Sequence, residues 1–154
     1  MSRFTWKSSP AVKRYEGNPI LTAKDAPFPS DMTYNAGVVK WGGRYVMLFR
    51  NLHWVDRYKK YDQSTRLAHS DDGIHWTVQE DFAFKPEGTT MPEDPRMTVL
   101  EGRVWITFAD NTPQGLRGGI AVTDDFENFE LLTLTAPDNR NMIVFPERIG
   151  GRIA

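Results

Sequence analysis

The residues of this chain with the clearest chemical potential form the tetrapeptide Glu93-Asp94-Pro95-Arg96, just before an apolar run. Proline fixes its own backbone and restricts the residue before it, so we expect Asp94 to be extended and its carboxylate to be held still. A held carboxylate can act as a general acid, or it can simply pair with Arg96 in a turn. Glu93 is expected to be structural. The rest of the chain has to separate these alternatives.

Composition narrows the kinds of chemistry that are available. The chain has 154 residues, 40% of them hydrophobic and 25% charged, and a net charge of -1, which is typical of one globular domain and unfavourable for binding nucleic acid or anionic membranes. It has no cysteine, so disulfides and thiolate catalysis are excluded. Three scattered histidines without a metal-binding spacing predict no metal site. The polar N-terminus and the lack of a long apolar run predict a cytoplasmic protein.

The elements that must position Asp94 are short β-strands arranged in a repeat. The stretches "YNAGVVKWGGRYVMLFRN" and "DPRMTVLEGRVWITFADN" each indicate two strands joined by a tight turn, and "NMIVFPERIGGRIA" begins the pattern a third time. A second hairpin follows each of the first two, with Asp124-Asp125 in the place of Asp71-Asp72 and Phe129 in the place of Trp76. A repeat of roughly 50 to 60 residues with four strands is typical of a β-propeller blade.

The sequence therefore predicts an all-β fold, part of a β-propeller. We expect an N-terminal segment at 1–33, one blade at 34–80, a second at 91–135 and the start of a further blade at 139–154. That is about two and a half blades, whereas closed propellers typically have four to eight. We expect the chain to be a fragment of a longer protein, with association into a homo-oligomer as the alternative way to complete the propeller.

Polar residues at the ends of the strands should meet at one rim of such a propeller. The start of a blade's first strand and the end of its second lie on the same side, because the two strands are antiparallel and linked by a hairpin. Carboxylates, arginines and amides around one cavity fit a sugar together with an anion. The starts are Asn35, Asp94 and Asn139-Arg140-Asn141, and the ends are Arg50-Asn51 and Asp110-Asn111.

A long aromatic segment, Asn51 to Gln63, connects the second and third predicted strands of the first blade. It is too long for an ordinary hairpin loop, so we expect a loop that folds over the cavity. Trp54 or Tyr58 could then stack on the face of a sugar ring.

Five motifs in order resemble the β-mannoside phosphorylases of glycoside hydrolase family 130: "EGNPIL", "YNAGVVKWGGRYVMLFR", "SDDGIHW", "EDPR" and "FPERI". The resemblance runs from about Tyr15 to Arg148. It implies a five-bladed propeller that cleaves β-mannosides with inorganic phosphate as co-substrate and no cofactor. Members of the family are about twice as long as this chain, which agrees with the expectation of a fragment.

The resemblance also implies roles for individual residues. Asp94 falls at the position of the family's general acid, and Asn35 matches a residue that contacts the mannosyl unit. Arg50 and Arg140 match arginines of the site that surround phosphate, and Asp110 falls where a further sugar-binding acid is expected. The family's remaining phosphate ligands, which include a lysine and a histidine or tyrosine, would lie beyond Ala154.

An inverting phosphorylase needs one carboxylic acid and a cationic cradle, because phosphate is already an anionic nucleophile. The leading hypothesis is therefore inverting phosphorolysis of β-1,4-mannosides, such as mannosyl-glucose or mannooligosaccharides, to α-mannose 1-phosphate. A β-mannoside hydrolase of the same fold would need a second carboxylate as base. A truncated, non-catalytic sugar-binding module is the third possibility.

Overall fold

Two four-stranded antiparallel sheets account for nearly all regular structure in residues 9–57 and 59–154, which the computed structural model describes. This confirms the predicted all-β class. A one-turn 3-10 helix at Ala23–Asp25 precedes the sheets. Within the same residues, no helix has the length and apolarity needed to cross a membrane. The strands are β1 (Met32–Trp41), β2 (Arg44–Asp56), β3 (Lys60–Ser70), β4 (Thr77–Val78), β5 (Pro92–Leu100), β6 (Arg103–Thr112), β7 (Gly115–Thr123) and β8 (Glu130–Pro137).

The predicted tight turns join the first two strands of each sheet. Gly42 and Gly43 link β1 to β2 with φ of 57° and 82°, and Glu101 and Gly102 link β5 to β6 with φ of 53° and 74°. Two successive left-handed residues produce the backbone twist that two-residue hairpins require. The repeated hairpin seen in the sequence is confirmed.

The second hairpins of the two sheets are also equivalent. One carboxylate oxygen of Asp72 accepts the backbone N–H groups two and three residues further on, both at 2.8 Å. Asp125 does the same in the second sheet, again at 2.8 Å. Trp76 and Phe129, which follow these turns, each pack against a hydrophobic cluster as expected. The sequence repeat therefore corresponds to a structural repeat.

The main hydrophobic core lies between the two sheets. The aromatic ring of Phe84, in the connection between them, packs edge-on against Phe108 at 5.3 Å and against Phe129 at 5.0 Å. Face-to-face packing of successive four-stranded sheets is the arrangement of propeller blades. We call β1–β4 the first blade and β5–β8 the second blade. The buried residues of this core are Val46, Leu48, Leu67, Phe84, Val104, Ile106, Phe108, Ala121 and Phe126.

The segment from Asn51 to Gln63 is a hairpin, so the prediction of a loop folding over the cavity is wrong. β2 continues to Asp56 and β3 begins at Lys60, with Leu52 opposite Gln63 and Trp54 opposite Tyr61. The rings of Trp54 and Tyr61 meet edge-on at 5.6 Å, and such cross-strand aromatic pairs stabilise an antiparallel ladder. Tyr58 lies outside the residues that the structure describes.

The chain after β8 runs along the second blade. Thr107 Oγ1 donates to the carbonyl of Met142 at 2.6 Å, and Thr98 Oγ1 donates to the carbonyl of Val144 at 2.9 Å. An isolated bridge between Ile149 and Arg152 then closes a turn. These contacts lie within 139–154, the segment where the start of a further blade is predicted, and they hold its first half against the second blade.

Candidate functional site

Asn35 and Asp94 occupy equivalent bulges in the first strands of the two blades. The register of β1 shifts across 34–37 and that of β5 across 93–96, and the two residues have φ of 52° and 53°. Asparagine and aspartate tolerate this left-handed region better than most other side chains, so the residue types suit the backbone. The expectation that Pro95 keeps Asp94 extended is wrong. The ladder to β6 on both sides of the bulge overrides the local preference set by proline.

The two bulges and the middle of β2 bring three of the predicted site residues together. Asn35 Nδ2 donates to Asp94 Oδ1 at 2.8 Å, and Arg50 Nη1 donates to the same oxygen at 3.2 Å. The side chains of Arg50 and Asp94 are 16% and 15% exposed. The Asp94 carboxylate of the second blade is therefore oriented by two side chains of the first blade, while its surface is still reachable from solvent. The convergence predicted from the repeat is observed for these three residues, and their chemical roles stay predictions.

Arg50 also belongs to a buried network that the sequence did not predict. Its Nη2 lies 2.9 Å from Glu93 Oε2, and its Nε donates to Gln63 Oε1 at 2.9 Å. Gln63 Nε2 in turn donates to Glu93 Oε2 at 2.6 Å. The sequence predicts a loop at Gln63 and so gives no signal for it, and only the pairing of β2 with β3 brings this residue beside Arg50. Glu93 was expected to be structural, and its ion pair does join the two blades.

Aromatic side chains line one side of this cluster. The guanidinium of Arg50 lies over the Tyr34 ring, 5.0 Å from its centroid. Partial burial raises the pKa of the Tyr34 phenol above its ordinary value; Arg50 opposes this rise, and Asp94 and Glu93 add to it. Trp54 lies farther along β2, and its ring meets that of Tyr61 edge-on. Tyr61 is 43% exposed. The stacking of a sugar on Trp54 stays a prediction.

Asp110, in the last part of β6, is bound by the backbone of its own blade. The residue is fully buried, and its carboxylate accepts the backbone N–H groups of Thr90 at 2.9 Å and Met91 at 2.7 Å. The contact with sugar that the resemblance implies for Asp110 stays a prediction. The segment that leads into β5 folds back over the end of β6, and Asp110 ties that segment in place. Asp110 therefore supports the strand that carries Asp94.

Arg140 is exposed and follows β8 in an irregular segment. In the part of the chain that the structure describes, no hydrogen bond or ion pair joins it to Asp94 or Arg50. Its neighbour Asn141 has a φ of 62°, close to the values of Asn35 and Asp94. The third predicted strand start therefore shares the backbone conformation of the first two.

A cleft of about 320 Å³ borders the cluster on the side of Asn35. It lies between the N-terminal segment and the first blade, and its walls are mostly apolar. It includes part of the "EGNPIL" motif, from Asn18 to Leu21. Its walls also include Tyr34, Asn35, Met47 and Phe49.

The two carboxylates of the cluster differ in their surroundings. Asp94 is the more exposed of the two, at 15% against 7% for Glu93, and both hydrogen bonds that the first blade makes to it end at Oδ1. In residues 9–57 and 59–154, no group of three or more His, Asp or Glu side chains is placed to hold a metal ion. The site therefore holds one partly exposed carboxyl group in a fixed orientation.

Comparison with known proteins identifies the family. The model of the beta-1,4-mannooligosaccharide phosphorylases, glycoside hydrolase family 130, matches residues 7–146. This chain belongs to that family. It is 30% identical to the beta-1,4-mannooligosaccharide phosphorylase of Ruminococcus albus over 96% of this chain and 48% of the relative. It is 31% identical to the 4-O-beta-D-mannosyl-D-glucose phosphorylase of Bacteroides fragilis over 95% of this chain and 41% of the relative.

The fold has solved counterparts. The beta-1,2-mannobiose phosphorylase from Listeria innocua, solved with beta-1,2-mannobiose, superposes with a TM-score of 0.75 and 22% identity, over 91% of this chain and 56% of that chain. At this identity the likeness concerns the fold alone, which is that of propeller-type glycosidases. The chain spans about half the length of the relatives it matches, or less.

Proposed function

We propose that this chain carries the general-acid side of a phosphorylase site, in a whole protein that cleaves β-mannosides with inorganic phosphate. The observation that carries the proposal is the Asp94 carboxylate, held on Oδ1 by Asn35 and Arg50 from the neighbouring blade. Membership of the family supports the reaction, since its named relatives are phosphorylases of mannosides. The product would be α-mannose 1-phosphate, formed with inversion at the anomeric carbon.

In this proposal Asp94 supplies the one proton that the reaction needs. A phosphate oxygen attacks the anomeric carbon from the face opposite the leaving group, and the glycosidic carbon–oxygen bond breaks. The departing oxygen takes the proton of Asp94, directly or relayed through a hydroxyl of the sugar, and leaves as a sugar hydroxyl, while Asp94 is left as a carboxylate. Phosphate brings its own negative charge, so no second carboxylate is needed as base. Protonated Asp94 is restored from the solvent after the product leaves.

We assign the two arginines different tasks. The bonds of Arg50 to Gln63 and Glu93 engage two of its three nitrogens, so we propose that it orients Asp94 and adds positive charge beside it. Arg140 is exposed and would bind phosphate, because a guanidinium can donate two parallel hydrogen bonds to phosphate oxygens. Asn35 would contact the mannosyl unit, and Trp54 would stack on a sugar ring.

The linkage that is cleaved needs a panel of substrates, because the relatives named above act on β-1,4- and β-1,2-linked mannosides. The assay is release of mannose 1-phosphate from β-1,4-mannosyl-glucose, β-1,4-mannobiose and β-1,2-mannobiose, with and without phosphate. We expect phosphate-dependent product that disappears in Asp94→Asn. The matched control is Asp71→Asn, which removes a carboxylate that is 85% exposed.

Other outcomes point to the other hypotheses. Free mannose released without phosphate, and lost in Asp94→Asn, would establish the hydrolase instead. No product of either kind from a folded chain would mean that this polypeptide does not hold a complete site. Equal activity in the wild type and Asp94→Asn would remove Asp94 from the mechanism.

A further inference from the structure

Glu93 is a buried acid that the proposed reaction does not use. Its side chain is 7% exposed, and its Oε2 takes both the Gln63 amide at 2.6 Å and the Arg50 guanidinium at 2.9 Å. Burying a carboxylate costs several kcal/mol unless its charge is offset and its oxygens are hydrogen-bonded. A carboxylate buried at this cost beside the candidate acid is expected to have a role in the site.

One guanidinium serves two carboxylates in this cluster. The Arg50–Glu93 contact, at 2.9 Å, is shorter and more buried than the Arg50–Asp94 contact at 3.2 Å. Glu93 therefore offsets more of the positive charge of Arg50 than Asp94 does. A lone arginine beside Asp94 would favour its ionised form, which cannot donate a proton. Among the described residues, the ionisable groups that face Asp94 or Arg50 are Glu93 on β5, Arg50 on β2 and Tyr34 on β1, and Tyr61 on β3 acts in turn on Tyr34.

Gln63 fixes the orientation of the Arg50 guanidinium between the two carboxylates. Its carbonyl oxygen accepts Arg50 Nε at 2.9 Å, and its amide nitrogen holds Glu93, so the plane of the guanidinium is set from two sides. The Tyr34 ring lies against the guanidinium as well. Only Nη1 of Arg50 is then directed at Asp94 Oδ1.

We propose that Glu93 is a positioning residue that orients Arg50 and offsets its charge, so that Asp94 can carry the proton that the reaction transfers. The inference rests on the proposed function. It assigns Glu93 an effect on Asp94 through Arg50, and no contact with substrate.

The test is Glu93→Gln, which keeps the shape and the hydrogen bond to Gln63 and removes the charge. The positive charge of Arg50 is then no longer offset by Glu93, and it favours the ionised form of Asp94. We expect kcat for phosphorolysis at pH 7 to fall about tenfold with KM for the mannoside unchanged, and the alkaline limb of the pH–rate profile to move to lower pH. Glu93→Asp, which keeps the charge, should restore part of the activity. Glu101→Gln, which removes an exposed carboxylate paired with Arg148, is the matched control.

A second measurement does not depend on activity. Carbon-13 NMR can follow the Asp94 carboxyl through a pH titration in the wild type, Glu93→Gln and Glu101→Gln. The midpoint for Asp94 should move to lower pH in Glu93→Gln and stay in place in Glu101→Gln. Coincident curves in all three proteins would overturn the inference. So would a Glu93→Gln variant that raises KM and leaves kcat and the pH profile unchanged. An inactive wild type would count against the proposed function, and the titration would still decide the role of Glu93.

Discussion

The ion pair between Arg50 and Glu93 should be worth far more to stability than any surface pair of this chain that the structure describes. Its atoms are 2.9 Å apart, and the two side chains are 16% and 7% exposed. At an effective dielectric constant of about 20, the gross attraction is about 6 kcal/mol, and desolvation offsets much of it. Arg50→Met leaves the Glu93 carboxylate buried with only Gln63 as partner. We expect the free energy of unfolding to fall by about 3 kcal/mol, the lower end for breaking such a pair.

The measurement is urea unfolding followed by tryptophan fluorescence. The control is Arg44→Met, which breaks a pair with Asp71 whose side chains are 51% and 85% exposed. Its cost should stay below about 1 kcal/mol, because solvent screens exposed pairs. An Arg50→Met variant no less stable than Arg44→Met would refute the reasoning.

A double variant separates the ion pair from other contacts of Arg50. In Arg50→Met/Glu93→Gln the uncompensated charge is gone, and the amide at position 93 can still bond to Gln63. We expect the loss in unfolding free energy to be smaller than the sum of the two single losses by about 1–3 kcal/mol. Strictly additive losses would mean that the two side chains do not stabilise each other.

Three further predictions concern residues elsewhere in the two blades. Gly37→Ala places a Cβ 2.9 Å from the Pro95 carbonyl oxygen, so the first strands of the blades must separate, and we expect a loss of roughly 1–3 kcal/mol in urea unfolding. Asp110→Ala leaves two backbone N–H groups unpaired and should cost roughly 2–4 kcal/mol, whereas a change within about 0.5 kcal/mol would show that Asp110 does not support this segment. Burial lowers the pKa of His69 below its ordinary 6.5, so the unfolded chain takes up the proton first and stability should fall as pH drops below about 6.5. His69→Gln should flatten that part of the pH dependence of the urea midpoint, and an unchanged slope would contradict the assignment.

Local signals were sufficient for the repeat and for part of the site. Gly42-Gly43, Glu101-Gly102 and the paired aspartates determine turns within a few residues, and those turns were predicted correctly. The equivalence of Asn35 and Asp94 followed from aligning the repeats. Asn35 and Asp94 lie near the starts of the first strands of the two blades, and repeated hairpins place those starts on the same rim.

The predictions that were wrong involve contacts with a partner strand. The backbone of Asp94 depends on how β5 pairs with β6, and that pairing overrides the preference set by Pro95. In the Asn51–Gln63 hairpin, β2 and β3 pair almost to their tips, and Trp54 and Tyr61 face each other across the ladder. Which residues become neighbours is decided only when the strands pair.

The sequence by itself determined the all-β repeat, the position of the turns and the candidate acid, because each of these depends on residues close together in the chain. Only the tertiary structure decided which residues hold that acid. Glu93 and Gln63 are 30 residues apart and sit in different blades, yet both bind Arg50. Asp110 is predicted to lie at the same rim, and the structure shows that the segment preceding β5 covers it completely. Burial and partnership between distant residues arise only when the blades pack, so the charge balance around Asp94 is a property of the fold.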